Sequence, residues 1–172
     1  EEEPREPAAQ GNGDIKPGAA WASGDVIMDL YEVTGVLGEG GMGKVYKVHH
    51  RGWDMDLAMK VPKVQAVSAA GGVDGFEREA TTWVNLGLHP NIVSCYYVRR
   101  IRDLPHVFAE YVSGGSLKDW IRAEGDNLPR LYVGQPDQIL ERLIDIAIQF
   151  AWGLDYAHER GLIHRNNPRF LE

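Results

Sequence analysis

Gly38-Glu39-Gly40-Gly41-Met42-Gly43 sets three glycines at the spacing G-x-G-x-x-G. Without side chains, such a run lets backbone N–H groups close around an anion, a phosphate above all. Two further residues could do chemistry with it. Lys60 stands in the apolar run Leu57-Ala58-Met59-Lys60-Val61, where a buried ammonium needs an anionic partner. Glu79, in a helical segment downstream, could supply that partner. Each feature has an ordinary reading alone: a glycine-rich hairpin, a snorkelling lysine, a solvated helix face. In this order along the chain, they describe a place for a phosphate-bearing ligand.

The elements that must position them can be traced from periodicity. Tyr31, Val33, Val36 and Leu37 suggest a strand entering the glycines, and Lys44-Val45-Tyr46-Lys47-Val48 alternates polar and apolar as a strand leaving them. The run at 57–61 is a third strand, stopped by Pro62. After Gly71-Gly72, Asp74 is a candidate N-cap for a helix with Phe76, Ala80, Trp83 and Val84 on one face, ended by His89-Pro90-Asn91. Residues 92–98 and 107–112 are two more strand candidates, and Ser116 to Ala123 a short helix. Residues 124–137 form a loop. Residues 138–160 carry the longest helical pattern, with Leu140, Leu143, Ile144, Ala147, Ala151 and Leu154 on one face. Phe150 and Trp152 widen that face beyond a stripe, so this helix wants neighbours on several sides.

Three phosphate-binding devices use such glycines. The Rossmann fingerprint requires a helix directly after them, and a strand pattern follows here. Gly38 through Lys44 also satisfies G-x-x-x-x-G-K, but Val45 stands where a P-loop needs Ser or Thr, and again no helix follows. The third device is a strand–glycine loop–strand clamp, G-x-G-x-x-G-x-V, which Val45 completes.

With Leu57-Ala58-Met59-Lys60 matching a V-A-I-K strand, the chain resembles the ATP-binding half of a eukaryotic-type (Hanks-type) serine/threonine protein kinase. Phe76-Glu77-Arg78-Glu79-Ala80 and His89-Pro90-Asn91-Ile92-Val93 resemble that family's regulatory helix and its exit. Phe108 to Leu117 resembles the hinge and the helix after it. Gly153 to His158 and Gly161-Leu162-Ile163-His164-Arg165 resemble the helix that enters the catalytic loop. The likeness runs over about residues 31–165. It implies an α+β fold: a kinase-like N-lobe of a five-stranded antiparallel sheet plus one helix, then the first helices of an incomplete helical C-lobe. The expected divisions are a disordered acidic Pro/Gly tail at 1–24, an N-lobe with hinge at 29–112, and a partial C-lobe at 113–172.

The resemblance also implies site roles. Leu37, Val45 and Ala58 would sandwich an adenine, and the backbone of Glu110 and Val112 would bond its edge. The loop Gly38, Glu39, Gly40, Gly41, Met42 and Gly43 would cover the phosphates of ATP, and Lys60 would hold two of them, positioned by Glu79. Ala109 would stand at the back of the adenine pocket, where the family usually carries a bulkier residue. Mg is the expected companion of ATP and a protein Ser/Thr hydroxyl the expected substrate. The pattern breaks after Arg165, where His164-Arg165-Asn166-Asn167-Pro168-Arg169-Phe170-Leu171 replaces His-Arg-Asp-x-Lys-Pro-x-x-Asn. Asn166 takes the place of the carboxylate that accepts the substrate proton, so no catalytic residue is intact. An amide cannot accept that proton near pH 7, and loss of a general base costs roughly 10²–10⁴-fold. The family's Mg-binding motif does not follow. Truncation, with weak or no activity, is the expectation, and a catalytically dead nucleotide-binding or protein-interaction module is the alternative.

Composition sets the frame. The chain has 172 residues, 44% of them hydrophobic, with 18 Lys+Arg against 25 Asp+Glu and a net charge of −7. The acidic balance argues against a nucleic-acid-coating protein. No apolar run reaches membrane-spanning length, and the start Glu1-Glu2-Glu3-Pro4-Arg5-Glu6-Pro7 is no signal peptide. It also lacks an initiator Met, as a fragment would. The single cysteine, Cys95, allows no internal disulfide and fits a reducing, cytoplasmic location. The apolar face of helix 138–160 is expected to be exposed and to invite a partner or self-association.

Overall fold

The computed structural model describes residues 20–122 and 129–162. Strands β1 (Val26–Ile27), β2 (Tyr31–Gly40), β3 (Gly43–His50), β4 (Met55–Pro62), β5 (Cys95–Ile101) and β6 (Leu104–Glu110) form one antiparallel sheet in the order β1-β2-β3-β4-β6-β5. Helices α1 (Val64–Ala69) and α2 (Val73–Val84) lie between β4 and β5. Helices α3 (Leu117–Ile121) and α4 (Pro136–Glu159) follow the sheet, with a 3-10 turn at Arg130–Tyr132 between them. The antiparallel sheet with one packed helix that the family resemblance implies is present. The two-residue β1 and the short α1 are additions that local patterns were too brief to reveal.

The period of two puts alternate residues on opposite faces of the sheet. In β4, Leu57 and Met59 are fully buried among Tyr31, Val33, Tyr46, Val48 and Phe108, the larger core. The Phe108 ring stacks on Tyr31 at 4.5 Å and on Tyr97 at 4.9 Å between centroids. A second core lies on the opposite face, where Phe76 and Ala80 of α2 meet Val67, Cys95 and Val107. It follows the helical seam read from the sequence, so α2 is held to β5 and β6 by its apolar stripe.

Five boundaries differ from the sequence expectation. Strands β5 and β6 overlap the expected 92–98 and 107–112 but are shifted toward each other, because a two-residue turn, Arg102-Asp103, joins them. Both turn residues have positive φ, 52° and 61°, as a hairpin of the primed type requires. Asp74 is not the N-cap of α2. Gly72 is, and Asp74 lies in the first turn, where its charge favours the helix dipole. The helix ends at Val84, ahead of His89. Helix α3 has five residues: Ser116 is its N-cap, its Oγ accepting from the Asp119 N–H while the Ser116 N–H donates back to the Asp119 carboxylate, and the backbone turns extended at Arg122.

Trp21, assigned to the acidic tail by composition, is buried. Its N–H donates to the Tyr46 hydroxyl at 3.1 Å, and the Arg102 guanidinium lies 3.9 Å over its ring. Tertiary contact overrides the tail's polar composition here. The tail residues 1–19 lie outside the described residues.

Helix α4 begins with Pro136 and a Gln135/Gln138 capping box and is attached to the sheet half at a few points. Gly153 lies against the Asn91 carbonyl, and the Tyr156 hydroxyl donates to the Leu86 carbonyl at 3.1 Å. Leu140, Ile144, Phe150 and Trp152 stand exposed along it. Among the described residues, no helix is long and apolar enough to cross a membrane.

Burial raises the Cys95 thiol to a pKa of about 11. The thiol of the folded chain should therefore be protonated at pH 8 and inert to a thiol-specific chromogenic reagent, reacting at the rate of unfolding. Because the folded pKa exceeds the unfolded one, Cys95 also withdraws stability as pH rises from about 9 toward 11. Rapid modification at pH 8 without denaturant would contradict this burial.

Candidate functional site

The glycine segment is the tip of a hairpin. Strand β2 runs through Gly40 and pairs it with Gly43, leaving Gly41 and Met42 as the turn. A strand on each side rules out the Rossmann and P-loop readings, which need a helix there. Pairing in β2 is interrupted twice, and the second shift, between Val36 and Gly38, leaves Leu37 without a cross-strand partner. Such a bulge re-aims a side chain, and Leu37 is exposed.

The hairpin leans on the end of β4. The Lys63 N–H donates to the Met42 carbonyl at 2.9 Å. The Glu39 carboxylate lies 3.8 Å from the Lys44 ammonium and 3.9 Å from that of Lys63. Among the loop residues, Gly43 is buried while Gly38, Glu39 and Gly41 are exposed.

Register puts the remaining residues on one face, because directly paired residues of antiparallel strands point the same way. Val45 pairs with Lys60, Lys60 with Val107, and Ala58 with Ala109. This is the face on which Val107 packs against α2. Three small residues, Ala58, Ala109 and Cys95, therefore lie in a row across β4, β6 and β5. Ala58 and Val45 are half-buried and Ala109 is buried.

Lys60 is half-buried. Burial pulls its ammonium below the ordinary lysine range, and the negative charge of Glu79 opposes that shift. Glu79 is an exposed residue of α2, yet its charge acts on Lys60.

At the end of β6, the Glu110 N–H donates to the Ser94 carbonyl at 2.9 Å, and the Glu110 carboxylate accepts from the Ser94 N–H at 3.2 Å. Val112 is exposed in the segment leading to α3. The structure thus gathers Val45, Ala58, Lys60 and Ala109 on one face, with Glu79 acting on Lys60 from the helix. Leu37 and Val112 lie at the margins. Asn166 lies outside the described residues.

The sequence reading misses Lys63, Ser94 and Arg100. Arg100 grips Glu77 and Asp74, 23 and 26 positions away. No local periodicity signals such contacts. The doublet Arg99-Arg100 in a strand is the only trace they leave in the sequence.

The architecture, an antiparallel sheet with one packed helix followed by further helices, is that of part of a protein-kinase-like fold. The crystal structure of the Mycobacterium tuberculosis PknI kinase domain matches with a TM-score of 0.63 and 31% identity, covering 87% of this chain and 56% of that one. A probable serine/threonine-protein kinase of Clostridium perfringens is 35% identical over 143 residues, and PrkC of Bacillus subtilis 29% identical over 143 residues. These alignments cover 83% of this chain but 19% and 20% of those proteins. The protein kinase domain model matches residues 31–166, and the chain belongs to the Hanks-type serine/threonine protein kinase family.

Proposed function

We propose that this chain is the nucleotide-binding part of a serine/threonine protein kinase. ATP would lie on the face that carries Val45, Ala58 and Lys60, its adenine between Leu37 and Val45 on one side and Ala58 on the other. Its ring edge would meet the backbone of Glu110 and Val112. The hairpin tip at Gly38–Gly43 would cover the phosphates through backbone N–H groups. Glu39 would take part through its backbone alone, since its carboxylate faces Lys44 and Lys63 and would repel phosphate.

The observation that carries this reading is Lys60. A half-buried ammonium, opposed by burial and supported by the charge of Glu79, gains when a phosphate anion arrives. In the complete protein, the γ-phosphoryl would pass to a Ser or Thr hydroxyl. Asn166 offers an amide where the proton acceptor is expected, which favours weak transfer or none by this chain. Magnesium accompanies ATP in this family. Among the described residues no group of three His, Cys, Asp or Glu comes together to hold a metal ion.

Thermal unfolding with and without ATP tests the reading. At a ligand concentration of 100 times Kd, binding adds about 2.7 kcal/mol, a rise in Tm of roughly 5–10 °C for a domain of this size. No rise at millimolar ATP would refute nucleotide binding. Phosphoryl transfer by the same preparation at rates typical of kinases would instead refute the role given to Asn166.

A further inference from the structure

Helix α2 presents its acidic residues on two flanks of one apolar seam. Phe76 and Ala80 are buried and define the seam. At about 100° per residue, Glu79 falls roughly 60° to one side of Phe76, and Glu77 roughly 100° to the other, with Asp74 beyond it. The Glu79 flank acts on Lys60 of β4. The opposite flank meets the edge strand β5, where Arg100 takes hold of it. Arg100 Nε donates to Glu77 Oε1 at 2.6 Å, and Nη2 donates to Glu77 Oε2 at 2.8 Å and to Asp74 Oδ1 at 2.7 Å.

A planar guanidinium bound to both oxygens of one carboxylate fixes direction as well as distance. At its start α2 is packed on α1, with buried Gly75 against the Ala70 carbonyl, and the Arg100 fork acts on the other side, from β5. The N-cap of α2 is Gly72, which offers no side-chain bond to the exposed helical N–H groups. A slight roll about the helix axis would keep Phe76 and Ala80 in apolar surroundings while moving Glu79 relative to β4. The Arg100 fork resists that roll from the far side.

We propose that Arg100 is a positioning residue for the nucleotide site: by gripping Glu77 and Asp74 it sets the rotation of α2 and so the placement of Glu79 beside Lys60. This rests on the reading of Lys60 and Glu79 as the phosphate-holding pair. Arg100 is exposed at the sheet edge and belongs to neither core, so its replacement leaves the packed interior intact.

The test compares the unaltered chain with Arg100→Ala and Arg100→Lys by two measurements. The first is competitive amine labelling of Lys60 across pH, read by mass spectrometry without nucleotide. Arg100→Ala should lower the pKa of Lys60 because Glu79 supports it less firmly, and Arg100→Lys, which keeps a point charge, should lie between. The second is ATP affinity, which Arg100→Ala should weaken roughly two- to five-fold, the range of an exposed ion pair. An unchanged Lys60 titration in Arg100→Ala overturns the proposal, as does an Arg100→Lys titration no closer to the unaltered chain than that of Arg100→Ala. If the unaltered chain binds no ATP, the functional reading fails, and the Lys60 titration still decides whether Arg100 positions Glu79.

Discussion

Replacing Lys60 with Met should weaken ATP binding by about 10- to 100-fold while the nucleotide-free chain melts at the same temperature or higher. Hydrogen bonds that involve a charged group contribute about 1.5–3 kcal/mol, which sets that range of affinity. The effect on the empty chain has the opposite sign because burial opposes the Lys60 ammonium. Methionine fills similar space with no charge to desolvate, and Glu79, being exposed, is left to water at small cost.

The pH dependence separates the two effects. Lys60 has a folded pKa below its unfolded value, so its contribution to stability is fully present above the unfolded pKa of about 10.4 and is lost as pH falls through the lowered one. Nucleotide affinity should run the other way, falling as pH rises and the ammonium proposed to meet phosphate loses its proton. Calorimetric titration of ATP from pH 7 to 10 should show this decline in the unaltered chain and a flatter profile in Lys60→Met. Equal affinities for the two chains at pH 7 would remove Lys60 from the phosphate site.

Gly43→Ala should destabilise the chain by about 1–3 kcal/mol, the usual cost of forcing an extra carbon into a packed site. A Cβ there would run into the Val61 carbonyl oxygen and lie 2.9 Å from the Pro62 Cα. These are backbone atoms with no rotamer to swing aside, and Gly43 holds a φ of 154°, which L side chains rarely adopt. Relief requires β3 to shift along β4 at the pairs Gly43–Pro62 and Val45–Lys60, so the glycine hairpin and the lysine move together. ATP affinity should fall in the same variant. Gly38→Ala and Gly41→Ala are the internal controls, since a Cβ at either position meets nothing within 4 Å. Urea unfolding of the three variants should separate Gly43 from the others. Equal midpoints would mean that the hairpin does not lean on β4.

Much of the sheet was legible because the information is local. Alternation in β3 and β4 and the seam of α2 repeat over a few residues, and each is the direct imprint of one buried face. Elements too short to establish a period, β1 and α1, escaped. So did the offset of β5 and β6, because the Arg102-Asp103 turn lacks the glycine that usually marks such a hairpin. Trp21 was hidden because small Ala and Gly residues around it form no periodic pattern, though it closes the larger core against Tyr46.

The order of a glycine hairpin, a lysine strand and a glutamate helix is written in the chain itself, since each is a short-range pattern and their succession narrows the family. Whether those pieces meet is a matter of distant segments. The helix meets the sheet through Val107 and Cys95, Lys60 feels Glu79 across two elements, and Arg100 holds α2 by residues more than twenty positions away. Electrostatics and packing act through space, and only the folded sheet brings these distant groups near enough for them to act.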